Sequence, residues 1–227
     1  GYDYAVFSEV EANPSVATAE RCYMLYRERL CDGFIALGGG SPMDTAKAAA
    51  ARAARPDRSL AEMAGLLRVG RPTPPLIAVP TTSGTGSEAT VAAVITDRET
   101  NHKYAVMDLH LIPRRAVLDP ELTVGMPPRT TATTGMDALT HAVEAYIGGS
   151  TTKQTRFMAE HAVRLIYENL RKAYEDGQNK KARAYMLEAA YCAGIAFSRS
   201  YVGYVHGVAH SLGGQYGVPH GLANAVI

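Results

Sequence analysis

No apolar run in this sequence approaches the roughly 18 residues that cross a bilayer, and no secretory signal opens it. No membrane-spanning helix is expected within it. Charge of one sign is missing too: 23 Lys and Arg stand against 22 Asp and Glu, for a formal net charge of +1. With no basic patch and no acidic tail, neither nucleic acid nor a membrane surface is an expected partner. Cysteine is scarce. Cys22, Cys31 and Cys192 are odd in number and lack CxxC spacing. This fits a reduced, cytoplasmic compartment in which the thiols serve as small core hydrophobes. An initiator methionine is also lacking. Gly1–Phe7 reads as a strand entered midway and Leu222–Ile227 as the middle of an apolar helix, so the expectation is a piece of a longer protein.

At 227 residues and 47% hydrophobic, the chain can bury one large core or two smaller ones. Asn13-Pro14 has the form of a helix cap followed by proline at the first helical position. Val16, Ala19, Tyr23, Tyr26 and Leu30 then recur at helical spacing. Gly33–Leu37 reads as a buried strand running into Gly38-Gly39-Gly40-Ser41-Pro42-Met43-Asp44 and an alanine-rich helix. Glycine admits positive φ and lets a ligand approach the backbone. Ser41 is placed to cap that helix, Pro42 to occupy its first position and Asp44 to complete a capping box. Exposed amides at a helix start favour a phosphate, although a tight turn with no ligand would read the same way.

After a polar, proline-rich connector (55–75), a second strand, Leu76–Val79, meets Pro80-Thr81-Thr82-Ser83-Gly84-Thr85-Gly86-Ser87-Glu88. Such hydroxyl-rich loops at the carboxyl ends of parallel strands are where open α/β sheets bind ligands; a solvated surface loop is the alternative. Ala89–Thr96 and His102–Val106 read as a hairpin turning over 97–101. Lys103 on its return strand is placed to reach a ligand or simply to be solvated. A third strand, Arg115–Leu118, follows. Beyond 125 only helical patterns remain, including an apolar face of Met158, Ala162, Leu165, Ile166 and Leu170 and a small-residue helix over 182–197. The expected division is an α/β domain over 1–125 and an all-helical domain over 126–227.

Histidine is concentrated at the end of the chain. Asp137 and His141 are four apart in a helical pattern and leave one face. His206 and His210 repeat that spacing, and His220 follows Pro219 in a glycine-flanked turn. One carboxylate and several imidazoles suit Zn²⁺ or Fe²⁺ with a position left for substrate. Five donors for about four positions leave one to lie outside the coordination sphere or to act in catalysis. Two polar residues on one helix face can also be no more than that. His102, His110 and His161 have no partner of suitable spacing and read as surface residues.

In this order Gly38–Lys47, Pro80–Glu88, Gly135–Glu144 and the closing histidine segment resemble the iron-containing (group III) alcohol dehydrogenases. The resemblance spans essentially the whole chain. It implies a Rossmann-like, dehydroquinate synthase-like α/β domain binding NAD or NADP, followed by an all-α metal-binding domain. It also implies that the opening βα unit and the last helices of the family are missing. Asp137, His141, His206 and His220 match the family's metal ligands, with Fe²⁺ favoured and Zn²⁺ accepted. His210 matches a histidine beside nicotinamide and substrate that is no ligand. Gly39, Gly40 and Ser41, with Asp44 in the same motif, match the pyrophosphate site; Thr81, Thr82, Thr85 and Lys103 match further cofactor contacts, and Asn13 a position near the adenosine half.

The implied activity is interconversion of a small alcohol with its aldehyde or ketone by hydride transfer, in a homodimer or larger homo-oligomer. Two alternatives stay open on the sequence: a metal-dependent lyase or hydrolase of a phosphorylated substrate on the same fold, and an inactive truncated piece.

Overall fold

The computed structural model describes the whole chain except Tyr2, Asn101 and Gly217, and of Gly214 and Gln215 it describes only the helical backbone. By internal packing it divides into two compact units, residues 1–79 with 91–116 and residues 80–90 with 117–227. The expected line at 125 therefore falls inside the second unit. The hydroxyl-rich loop, expected with the first part, packs within the second.

In the first unit, helix α1 (Val16–Glu28) starts two residues beyond the expected proline. The cap is Ser15, whose Oγ accepts from the Thr18 amide at 3.2 Å. Asn13 is instead in a left-handed conformation at φ 55°, one its short polar side chain tolerates. Strand β1 (Phe34–Gly38) feeds helix α2 (Gly40–Ala54). The turn between them needs glycine: Gly38 has φ +148°, and a β-carbon there would lie 2.6 Å from Pro42 Cγ. Gly39 is the cap residue of α2, with no side-chain cap bond. Ser41 and Pro42 thus lie inside the first turn, and the expected Ser41 cap and Asp44 capping box do not form. The Asp44 Oδ2 accepts from the Val94 amide at 3.1 Å and holds the hairpin to the helix.

β1, β3 (Leu76–Pro80) and β6 (Arg115–Ala116) form one sheet, β3 and β6 in parallel register. The third expected strand is shorter than its apolar run. The hairpin is present as β4 (Ala92–Asp97) and β5 (His102–Met107), antiparallel from Ala92 opposite Met107 to Asp97 opposite His102; Asn101 in its turn lies outside the described residues. The connector is less polar in effect than in composition. Its Gly65–Leu66 forms strand β2, parallel to β5, and Leu60, Met63 and Val69 are fully buried with Ile95, Val106 and Leu111. The opening residues expected as strand form none between 3 and 11.

Apart from Pro80, the last residue of β3, the second unit contains no strand among its described residues. Helices α3 (Pro128–Ile147), α4 (Lys153–Glu175) and α5 (Lys180–Ser200) pack through small residues. Ala142, Ala145, Ala159, Ala162, Ala193 and Ala196 are all fully buried, so the axes approach closely and little side-chain entropy is lost. A reciprocal capping box between Thr152 and Thr155 starts α4. Arg183, 1% exposed, donates to the Thr131 hydroxyl and to the Gly177 and Met126 carbonyls, which ties α5 to the start of α3. Helices α6 (Tyr204–Tyr216) and α7 (His220–Val226) complete the unit. No helix among the described residues is long and apolar enough to cross a membrane.

Candidate metal centre and cofactor-binding residues

Four side chains of the second unit converge. Asp137, His141, His206 and His220 each offer one donor atom, all within 4.8 Å of one another. Asp137 and His141 come from successive turns of α3, His206 from the first turn of α6, and His220 from the start of α7. The Nε2 atoms of His206 and His220 lie 3.8 and 3.5 Å from Asp137 Oδ1. His141 is sandwiched between Phe197 and His206, with ring centroids 4.2 and 4.4 Å away.

Burial sets the electrostatics. It pushes His141, His206 and His220 down to about 4 from the usual histidine range, because the charged imidazolium is what a dry environment disfavours. At neutral pH all three rings are uncharged and keep a lone pair, the form a metal requires. The Nδ1 of His141 is buried with no hydrogen-bond partner. One carboxylate and three neutral imidazoles at this spacing fit Fe²⁺ or Zn²⁺.

His210 is exposed, beside the cluster and not among its four donors. Its ring lies 5.0 Å from that of His220 and 6.1 Å from that of His206. Of the other histidines, His161 binds Glu188 at 2.9 Å and His110 binds Asp108 at 2.7 Å, and neither joins the cluster.

Two residues of the site carry no role in the sequence reading. Glu144 is 5% exposed and accepts from His206 Nδ1 at 2.5 Å and from the Val205 amide at 2.7 Å. Burial pushes its carboxyl up, but hydrogen bonds from Gly203, His206 and Val205 outweigh that and leave it below the usual carboxylate range. Asn224, also 5% exposed, places Nδ2 at 2.6 Å from Asp137 Oδ1 and at 3.2 Å from the Nε2 of both His206 and His220. A spacing signal existed for each. Glu144 stands three and seven residues beyond His141 and Asp137 on one helix face, and Asn224 stands four beyond His220.

The expected cofactor-binding residues fall in both units. In the first, Gly39, Gly40 and Ser41 form the start of α2, whose amides have no side-chain cap. Lys103 Nζ donates to Asn13 Oδ1 at 2.9 Å. Loss of water holds that ammonium below the usual lysine range, while Asp44 pulls the other way. In the second unit, Thr81, Thr82 and Thr85 ride on a loop seated against helices. A β-carbon on Gly84 would lie 2.6 Å from Thr134 Cβ, and Ser87–Ala89 forms a buried 3₁₀ turn. Thr85 Oγ1 accepts from the Ser87 amide at 3.2 Å.

Fold and site together define a two-part protein, α/β then helical, with a buried centre of one carboxylate and three imidazoles. Comparison with known proteins is specific on this point. The family described as iron-containing alcohol dehydrogenase matches residues 1–120, and the C-terminal part of the same family matches 131–227. The chain belongs to the iron-containing alcohol dehydrogenase family.

It is 43% identical to a 1,3-propanediol dehydrogenase of Klebsiella pneumoniae over the whole chain, which covers 58% of that relative. It is 40% identical to an NAD-dependent methanol dehydrogenase of Bacillus methanolicus, covering 100% of the chain and 59% of the relative. Among solved structures, a sulfoacetaldehyde reductase from Bifidobacterium kashiwanohense in complex with NAD⁺ superposes with a TM-score of 0.89 at 36% identity, covering 97% of the chain and 59% of its own. The chain thus spans a little under three fifths of the length of these relatives. All three are dehydrogenases or reductases, and none favours the lyase or hydrolase alternative.

Proposed function

We propose that this chain carries the cofactor and metal sites of an NAD(P)-linked alcohol dehydrogenase that interconverts a small alcohol with its aldehyde or ketone. The observation that carries the reading is the cluster of Asp137, His141, His206 and half-buried His220, within 4.8 Å of one another, in a chain of this family. Those four residues would hold the metal, and the amides of Gly39, Gly40 and Ser41, at a helix start with no side-chain cap, would face the pyrophosphate. Thr81, Thr82 and Thr85 supply hydroxyls, and Lys103, held by Asn13, supplies charge.

When bound, the metal supplies Lewis acidity toward the substrate oxygen, and the nicotinamide supplies the hydride chemistry. The protein's part is position and proton management. His210, exposed beside the cluster, takes the alcohol proton to solvent, and its imidazole is the only side-chain type that titrates unperturbed near neutral pH. A homo-oligomer in a reducing cytoplasm completes the reading.

The test is cofactor reduction, followed by nicotinamide absorbance, on Fe²⁺- or Zn²⁺-loaded protein with 1,3-propanediol, methanol, ethanol and butanol. Alcohol-dependent reduction of NAD⁺ or NADP⁺ that disappears on chelation is the expected result. Protein shown to be metal-loaded that oxidises none of these alcohols and reduces none of the matching aldehydes would sink the reading.

A further inference from the structure

The hydrogen bonds around His206 leave its ring only one tautomer. An ionised carboxylate accepts and cannot donate. Asn224 must therefore turn its NH₂ end toward Asp137, where the nitrogen stands at 2.6 Å. The same nitrogen lies 3.2 Å from the Nε2 of both His206 and His220, so its second hydrogen has two candidate acceptors. At the other end of the ring Nδ1 faces Glu144 Oε2 at 2.5 Å, and because a carboxylate only accepts, Nδ1 bears the proton.

Glu144 does more than receive that proton. Its other oxygen accepts from the Val205 amide at 2.7 Å, and the Gly203 amide also donates to the carboxylate. These amides stand at the start of α6. Gly203 lies so close that a β-carbon there would come within 2.8 Å of Glu144 Oε1. A single carboxylate on α3 therefore starts α6 and aims its first histidine.

We propose that Glu144 is a positioning residue for the metal centre: it fixes His206 as the Nδ1–H tautomer, with the Nε2 lone pair toward Asp137 and His220, while anchoring α6 to α3. This rests on the metal reading of the cluster. Such outer hydrogen bonds typically affect metal affinity by roughly 10–100-fold.

Glu144→Gln separates the two duties. The amide oxygen can still accept from Gly203 and Val205, so α6 stays anchored. The amide nitrogen can only donate, which makes His206 Nδ1 an acceptor and moves the ring proton to Nε2, where the metal would bind. The experiment uses the 227-residue chain with ¹⁵N-labelled histidine, without metal and then titrated with Zn²⁺ and Co²⁺.

The expected result is Nδ1–H at His206 in the unsubstituted chain and Nε2–H in Glu144→Gln. Zn²⁺ affinity should fall roughly 10–100-fold, the Co²⁺ absorption bands should change, and Glu144→Asp should recover part of the affinity. Nε2–H at His206 in the unsubstituted chain, or Glu144→Gln binding Zn²⁺ with unchanged affinity, overturns the proposal. In the His206→Ala background Glu144→Gln should add no further loss; an added loss there assigns Glu144 a purely structural role and overturns it as well. The metal reading fails by a different mark, namely unchanged Zn²⁺ binding in Asp137→Ala, and the tautomer assignment is read without any metal.

Discussion

Gly86 and Gly194 meet backbone to backbone. A β-carbon on Gly86 would lie 2.7 Å from the Gly194 α-carbon, and one on Gly194 would lie 2.7 Å from the Gly86 carbonyl oxygen. Gly86 is also in the left-handed region at φ +62°. The hydroxyl-rich loop is thus seated on α5 at a contact that admits no methyl group. Gly86→Ala combines strain with overpacking and should destabilise the chain by about 1–3 kcal/mol. Gly194→Ala, helical and unstrained at φ, should cost less stability yet still displace the loop. Urea denaturation measures the first effect, and NAD(P) binding, weakened in both variants, measures the second.

Removal of His206 and of His210 should have different consequences. His206→Ala deletes one of the four clustered donors and should abolish retention of metal through gel filtration. His210→Ala should retain metal and lose turnover by roughly 10²–10⁴-fold, the range for a positioned acid–base group. Metal analysis and steady-state kinetics on both variants distinguish the roles. Equal metal content and equal rates in both would sink the assignment.

Acid should weaken the metal-free chain within a definite window. His141, His206 and His220 are held down to about 4 by burial, against about 6.5 when unfolded. Between those values the unfolded chain binds more protons, so stability is fully present above about pH 6.5 and is lost as pH falls toward 4. The depressed Glu144 carboxyl acts in the same direction at lower pH. Denaturant midpoints should fall from pH 7 to pH 5, and bound Zn²⁺ should resist the fall by competing with protons for the same lone pairs.

Asp44→Ala should destabilise the first unit even with no ligand present. It leaves the Val94 amide, now bonded at 3.1 Å, without its acceptor, at a cost of about 1–3 kcal/mol. Hydrogen exchange at Val94 should accelerate relative to Val106, on the other strand of the hairpin. Unchanged protection at Val94 would rule out the bond.

Periodicity and turn chemistry made much of this structure legible. The strand–glycine–helix unit, the hairpin and the helical second half all follow from residues that prefer those conformations locally. The donor set was legible because Asp137 and His141 are one helical turn apart, although the approach of His206 and His220 to that pair is tertiary. What stayed hidden depends on contacts between distant segments. Asn13 and Ser41 look like caps, but Ser15 and Gly39 hold those positions, because the chain path into each helix is set by its neighbours. Leu60, Met63 and Val69 have no period, sit among prolines and charges, and still reach the core. Glu144 and Asn224 had the right spacing, but a Glu or an Asn on a helix is usually solvated.

The seating of residues 80–90 on α3 and α5 has a practical consequence for recombination. A chimaera that takes its first unit from a related protein cannot be cut at the obvious place, after the last strand of the first sheet. The loop lies inside the sequence of the first unit but was fitted, atom by atom, to the helices of the second. The donor of Ala190, Gly194 and Thr134 must also donate Gly84 and Gly86, so the graft needs three crossovers, at about 79/80, 90/91 and 116/117.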